Sequence, residues 1–314
     1  MPYFRQKSYQ QRRKKAILCQ PFLHFANGSF CAIILLVNNL KIIKEENKTT
    51  LLNAKYFNLD RTLDCGQAFR WVKDQNGFWQ GIVKGKFLRA KQDGDTITLY
   101  TTKKDFEELW YDYFDLNSNY QEICKLISKD PVLNTALKYG KGIRVLNQEP
   151  FEALCSFIIS QNNNIPRIKG IIERLCENFG EKHPFGYAFP TPERIAKSSL
   201  EELSVLRSGF RAKYLLDAAK KVSSGEVDLN AIKNMPLDDA RNELMKIVGV
   251  GPKVADCCLL FSQKHIEAFP KDVWIKRGME VLFGGDLPEC AKGLEGIAQQ
   301  YIFFYARDTK LLGD

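Results

Sequence analysis

The sequence predicts an α+β fold in which an antiparallel sheet comes first and helices follow. Three observations predict it. Residues 56–100 hold short apolar and β-branched runs, closely spaced and separated by Gly-bearing turns. After Asp105 the apolar residues recur at helical spacing. The 314 residues are 45% hydrophobic, with 21 Phe, 12 Tyr and 4 Trp, so two or three subdomains can each bury a core.

The first 40 residues are expected to stand apart. Arg12, Arg13, Lys14 and Lys15 precede an apolar run from Phe30 to Val37. That run is too short to span a bilayer, and no small-residue cleavage site follows it. Residues 1–40 read as a basic and hydrophobic extension, either disordered or contributed by an upstream start codon. Residues 41–140 read as the sheet domain with helices, and residues 141–314 as a helical region.

Within the sheet domain, Phe69-Arg70-Trp71-Val72 leads to the turn Asp74-Gln75-Asn76-Gly77. Phe78 to Val83 leads to Lys84-Gly85-Lys86, and Phe87 to Ala90 is followed by Asp93-Gly94-Asp95 and then Thr96 to Tyr100. Short runs joined by such turns predict an antiparallel meander. Asp105 is placed to cap a helix carrying Phe106, Leu109, Trp110 and Tyr113. Further helices are predicted from Glu152 to Gln161, from Ile165 to Phe179 with Gly180 as its stop, and near Leu200, Ala212, Pro236, Val254, Val273 and Gly293. Pro184, Pro190 and Pro192 interrupt the series.

The net charge of +9 is unevenly spread. Residues 1–48 hold nine Lys/Arg against two Asp/Glu, and the remainder is close to balanced. A nucleic-acid reading must rest on where charges sit. The nine cysteines are odd in number and irregularly placed, which predicts a reducing, intracellular setting, cytoplasm or nucleoid if the source is bacterial. Cys257 and Cys258 are adjacent and only Cys290 follows, so no cluster of metal-ligating side chains is expected.

The most informative segment is Leu244 to Asp256. An amphipathic helix ends at Gly249-Val250-Gly251, and a new helix starts with Pro252 in its first turn. Gly249, Val250, Gly251 and Lys253 form a hairpin whose amides would face an anion such as a DNA phosphate. Nineteen residues past Lys253 stands Asp272, in Ala268-Phe269-Pro270-Lys271-Asp272-Val273. Taken alone, Lys253 could be a surface lysine and Asp272 an N-cap.

Together these segments resemble the helix-hairpin-helix (HhH-GPD) DNA glycosylase superfamily. Cys65 to Trp71, Ser160 to Arg167 and Gly209 to Tyr214 extend the resemblance to its 8-oxoguanine DNA glycosylase/AP lyase members, with a bacterial, clostridial-like character. It runs from about residue 41 to the C-terminus. The resemblance implies a TBP-like antiparallel sheet before a helical catalytic core, with the last helix packed back on a base pocket.

It further implies that Lys253 attacks the sugar to form a Schiff base, with β-elimination as the lyase step, and that Asp272 stabilises positive charge on the sugar. Gly66, Cys257, Trp274 and a Gln and Phe chosen from Gln299, Gln300, Phe303 and Phe304 would line the base pocket. Asn162 would plug the gap left by the flipped base, Phe210 would act as a wedge, and Arg167 and Arg211 would read cytosine. Phe210 and Trp274 replace the Tyr and His common at these places. The implied partner is double-stranded DNA containing 8-oxoguanine, with the enzyme a monomer and no membrane involved. No cofactor is expected, beyond a structural monovalent cation at the hairpin carbonyls. The competing readings are an alkylated-base glycosylase of the same fold, and a non-catalytic hairpin DNA-binding protein.

Overall fold

A computed structural model of the chain describes residues 18–19 and 33–309. The order is antiparallel sheet first and helices afterwards, as the α+β reading expects. Strands β1 (Leu18–Cys19), β2 (Ile33–Val37), β3 (Leu40–Lys44), β4 (Thr49–Leu52), β5 (Val72–Lys73), β6 (Trp79–Val83), β7 (Lys86–Asp93) and β8 (Thr96–Tyr100) form one sheet, in the order β1-β2-β3-β4-β8-β7-β6-β5. Every pairing is antiparallel. Asn38 and Asn39 turn β2 into β3 with φ of 50° and 68°, and Lys84 and Gly85 do the same between β6 and β7. Such left-handed pairs match the twist of the strands they join.

One face of the sheet is apolar. Ile42, Leu51, Leu88, Ile97 and Leu99 are fully buried against a helix, α2, whose π-helical middle, Phe106–Trp110, is flanked by Lys103–Asp105 and Tyr111–Tyr113. Trp71 is seated in the same core, donating its indole N–H to the Tyr113 hydroxyl at 2.7 Å. Its ring fills the place where a side chain on Gly81 would stand.

Short helix α1 (Leu59–Leu63) precedes β5. After α2 come α3 (Tyr120–Ile127), α4 (Pro131–Tyr139), α5 (Pro150–Ser160) and α6 (Ile165–Phe179), then the small hairpin β9 (Lys182–His183) and β10 (Gly186–Tyr187). Next are α7 (Pro192–Ala196), a 3-10 turn at Glu202–Leu206, α8 (Arg211–Ser223), α9 (Leu229–Ile232), α10 (Leu237–Met245), α11 (Pro252–Ser262), α12 (Val273–Phe283) and α13 (Glu295–Asp308). They enclose a second core, in which α11 lies centrally with Val254 to Ser262 all buried. Gly296 lets α13 cross close to α11, because a Cβ there would stand 2.4 Å from Leu260. Among the described residues no helix is long and apolar enough to cross a membrane.

Several expectations need correction. The sheet begins before residue 41: Ile33–Val37 pairs along its whole length with Leu40–Lys44, and Val37 and Leu40 are core. Residues 1–17 and 20–32 of the expected extension lie outside the described residues. Phe69 is not in a strand, and its ring meets Phe157 of the helical core. Thr102, not Asp105, caps α2, its side chain accepting from the Asp105 amide. Helices α3 and α4 are additions to the sequence reading.

Candidate active site

Helix α10 gives way to a tight turn closed by the Val250 amide donating to the Ile247 carbonyl at 3.0 Å. Gly249 has φ +80°, and a Cβ on it would lie 2.4 Å from the Tyr214 ring, so no side chain fits. Gly251 differs. Its φ of −99° suits any residue, and nothing stands within 4 Å of where its Cβ would be. The fold does not require glycine there. The next helix, α11, has no side-chain N-cap, and Pro252 at its start has no N–H. Elsewhere Asn58, Asp130, Asn164 and Asp228 cap their helices. The open end of α11 leaves amide dipole unanswered by protein, which favours an anion.

Lys253 stands in the first turn of α11, its Nζ 5.7 Å from the centre of the Phe157 ring. Phe157 stacks on Phe261 at 5.4 Å and meets the edge of Phe69. One turn along the helix is Cys257, buried. Burial pushes its thiol up to about 11, against the charge and hydrogen bond of Lys253, while Asp272 adds to the upward push. Lys253 thus meets the Cys257 thiol, and the charge of Asp272, 19 residues beyond the lysine, is felt at the same thiol. Asp272 caps α12: Oδ1 accepts from the Ile275 amide at 2.7 Å, and among the described residues nothing else bonds to the carboxylate. Both plain readings, helix-start lysine and N-cap aspartate, hold geometrically. Neither prevents chemistry, since the cap leaves one carboxylate oxygen available. The Trp274 side chain lies outside the described residues.

The four candidates on the last helix are placed differently. Gly66, at φ +84°, faces Phe303, whose Cε1 would lie 3.6 Å from a Cβ on the glycine. Gln299 is one turn before Phe303 on the same face, and its buried Oε1 has no hydrogen-bond partner among the described residues. Gln300 is occupied otherwise, donating to the Cys65 carbonyl at 3.1 Å. Phe304 turns away, its ring 5.8 Å from that of Tyr139 on α4. Gln299 and Phe303 thus share the face of α13 that meets Gly66. Phe304 is core, because it lies on the side of α13 that α4 covers.

Asn162 sits exposed in the loop after α5 with φ +51°. Arg211 holds this loop. Its Nε donates to the Gln161 carbonyl at 3.0 Å, Nη2 to the carbonyls of Gln161 and Asn162, and Nη1 to that of Ser208 at 3.3 Å. Arg211 is accordingly buried, whereas Arg167 is exposed. Burial, and then the neighbouring charge of Arg167, lowers the pKa of the Arg211 guanidinium. Phe210 is half exposed, lying 4.4 Å from the Arg211 guanidinium and edge-on to Tyr214. Asn162, Phe210 and Arg211 form one cluster, at which the charge of Arg167 is felt.

A cavity of about 460 Å³ opens beside Lys253, between α10, α11, the segment before α12 and the first turn of α12. Arg241, Lys271 and Lys276 line it with Asp256 and Glu267. Arg241 is paired with Asp256 at 2.8 Å, and Glu267 with His265 at 3.1 Å. Burial pushes the Asp256 carboxyl up, against the pull of Arg241. Lys253, Lys271 and Lys276 have no salt bridge among the described residues, which leaves an anion-attracting wall. The sequence reading missed this wall. Lys271, directly before Asp272, was its visible signal.

One backbone carbonyl at the base of the hairpin is engaged by a lysine. The Lys246 carbonyl accepts from Lys221 Nζ at 2.5 Å.

Residues 49–154 match the 8-oxoguanine DNA glycosylase N-terminal domain, and residues 155–295 match the HhH-GPD superfamily base excision DNA repair protein. A Methanothermobacter thermautotrophicus protein named "Probable N-glycosylase/DNA lyase" is 33% identical over 233 residues, covering 63% of this chain and 74% of that protein. The N-glycosylase/DNA lyase of Saccharomyces cerevisiae is 30% identical over 256 residues, 72% of this chain and 68% of that one. Among solved structures, Clostridium acetobutylicum 8-oxoguanine glycosylase/lyase, in complex with double-stranded DNA containing cytosine opposite 8-oxoG, superposes with a TM-score of 0.81. It is 38% identical, over 86% of this chain and 98% of that one. MBOgg1 in complex with a low-affinity DNA ligand has the same TM-score at 40% identity, over 86% and 99%. With both domains present in order and the hairpin, lysine and aspartate gathered as described, the chain belongs to the 8-oxoguanine DNA glycosylase/lyase family of the HhH-GPD base excision DNA repair superfamily.

Proposed function

We propose that this chain excises 8-oxoguanine from duplex DNA, preferentially opposite cytosine, by covalent attack of Lys253 followed by strand cleavage. The observation that carries the reading is the cluster of Lys253, Cys257 and Asp272 at the uncapped start of α11. In the first step the neutral amine of Lys253 attacks C1′ as the glycosidic bond breaks. The bonding pair leaves with the base, which takes up the proton given up by the amine. Asp272 stabilises the positive charge that builds on the sugar. The nitrogen lone pair then breaks the C1′–O4′ bond, O4′ takes a proton from water, and ring opening gives an iminium between Lys253 and C1′. Loss of a proton from C2′ then expels the 3′ phosphate, and water hydrolyses the iminium to free the lysine.

Gly66 supports selection of the lesion. 8-Oxoguanine carries a hydrogen on N7 where guanine has an acceptor, so a backbone carbonyl at Gly66 would accept from the lesion and repel guanine. The neutral, buried Cys257 would lie against the base, with Phe303 and Gln299 closing the pocket. Arginine has donors only, and unpaired cytosine offers N3 and O2 as acceptors. Arg167 is available for this role as it stands. Arg211 would have to exchange the Gln161 and Asn162 carbonyls for the base, releasing Asn162 to plug the gap. DNA backbone phosphate suits both the open end of α11 and the lysine wall beside it. The protein would act as a monomer, inside the cell, and without a cofactor.

Single-turnover excision on a panel of duplexes tests this. The expected result is release of 8-oxoguanine fastest opposite cytosine and no comparable release of 3-methyladenine. Faster release of an alkylated base would favour an alkylated-base glycosylase, and binding without any release would favour a non-catalytic hairpin protein.

A further inference from the structure

Residues 64–71 join α1 to β5 and belong to neither a helix nor a strand, and Gly66 lies among them with φ +84°. Three buried glutamines hold this segment: Gln67, Gln148 and Gln300. The Gln67 side chain is engaged within the fold. Its Nε2 donates to the carbonyls of Thr62 and Arg144, each at 2.8 Å, and its Oε1 accepts from the Leu146 amide at 2.9 Å. The Gln300 side chain, on α13, donates to the Cys65 carbonyl at 3.1 Å. The Gln148 side chain donates to the Gln67 carbonyl at 2.6 Å. The backbone amide of Gln148 donates to the carbonyl of Phe261 on α11, the helix that carries Lys253. The carbonyls on both sides of Gly66 are thus held by side chains anchored in the helical core. Among the described residues nothing donates to the carbonyl of Gly66 itself, and the glycine is only half-buried.

A hydrogen bond weakens steeply as its partners move out of line. Rejection demands still more of an acceptor than recognition does. A carbonyl in a loose loop can turn away from the N7 lone pair of guanine and lose the repulsion. One whose two neighbours are fastened cannot. We propose that Gln148 and Gln300 are positioning residues for lesion selection, which keep the Gly66 carbonyl in place by holding the carbonyls on either side of it. The proposal rests on the reading that this carbonyl meets N7 of the flipped base.

The test compares single-turnover release of 8-oxoguanine and of 8-aminoguanine, which has a group of similar size at C8 but a bare acceptor at N7. Cleavage at an abasic site, which needs Lys253 and no base, is measured beside them. Wild type should release 8-oxoguanine much the faster. The double variant Gln148→Met/Gln300→Met replaces each amide by an apolar chain of similar length. It should shrink the ratio of the two release rates about tenfold, the order of one hydrogen bond, and cleave the abasic site within about twofold of wild type. Each single variant should give part of that change, and the singles carry the test if thermal melts show the double variant unfolded. An unchanged ratio would overturn the proposal whatever happens to the absolute rates, because the glutamines would then support the fold and not the choice of base. Failure of the Gly66 reading shows separately, as wild type releasing 8-aminoguanine as fast as 8-oxoguanine.

Discussion

Gly249 and Gly251 stand two residues apart and answer to different demands. Gly249 is fixed by the fold, through its left-handed backbone and the Tyr214 ring against it. Gly249→Ala should therefore destabilise the protein by about 2–4 kcal/mol, the combined order of an overpacked site and a left-handed alanine. Gly251 faces open space. Gly251→Ala should change stability by no more than about 0.5 kcal/mol, yet weaken binding of lesion DNA, because a methyl group would stand where phosphate approaches. Urea melts beside binding isotherms check both. Unchanged binding by Gly251→Ala would make the hairpin an ordinary helix joint. Cys257 supplies a second prediction. With its thiol raised to about 11 by burial, thiolate is scarce at pH 8. Iodoacetamide should leave Cys257 unmodified there in the folded protein, and label it once urea unfolds the chain. Rapid labelling at pH 8 would contradict a neutral thiol against the base. At this scale the motif residues were legible because Gly-x-Gly-Pro-Lys constrains the backbone by itself. The placing of Gln299, Gln300, Phe303 and Phe304 on α13 was not. Phe303 and Phe304 are equally apolar, and only the position of α4 decides which one is core.

Among the elements, α8 does most to join the parts of the site. Arg211 at its start fastens the Asn162 loop, while Tyr214, Asp217 and Lys221 farther along hold the hairpin. The two arginines should consequently behave differently. Arg167→Ala, on an exposed residue, should leave melting unchanged and flatten the preference for cytosine, an effect of about 1–3 kcal/mol if it resembles other direct base contacts. Arg211→Ala should flatten the preference and also lower the melting temperature, since it leaves the Gln161 and Asn162 carbonyls without their donor. Excision opposite C, A, G and T measures this. A uniform loss across the four partners would mean that the arginines hold phosphate. Strands β2 to β4 escaped the sequence reading for a physical reason. Ile33-Ile34-Leu35-Leu36-Val37 is a continuous apolar run without alternation, and its turn, Asn38-Asn39, has no glycine. Helices α3 and α4 are eight and nine residues long, too short for periodicity to stand out.

For the whole molecule, the order of strands then helices was visible in the change of period after residue 100. The joint between the two cores was not, because it depends on pairs far apart in sequence. Arg70, after the β-rich segment's first motif, reaches Glu152 at the start of α5 at 3.0 Å and also donates to the carbonyls of Ile82 and Tyr187. Burial pushes the Glu152 carboxyl up despite the pull of Arg70. Arg70→Met would strand that carboxylate and should cost about 3–5 kcal/mol at neutral pH, with partial recovery in the double variant Arg70→Met/Glu152→Met. The sign with pH follows from the raised pKa. A carboxyl raised in the folded state favours folding at low pH and loses that contribution as pH rises through its folded value. The deficit of Arg70→Met should therefore shrink below pH 4.5, the ordinary glutamate value. Melting at pH 7 and pH 4 measures it, and an equal deficit at both would contradict the assignment.

The central claim is that Lys253 is the nucleophile, and borohydride trapping addresses it most directly. Reduction during turnover of an 8-oxoguanine:cytosine duplex should convert the iminium into a stable protein–DNA adduct. Lys253→Gln should form none and release no base while still binding the duplex, since the hairpin amides are untouched. Asp272→Asn should bind and release base more slowly. Adduct formation by Lys253→Gln at the wild-type rate would contradict the account, because another amine would then be the attacking group.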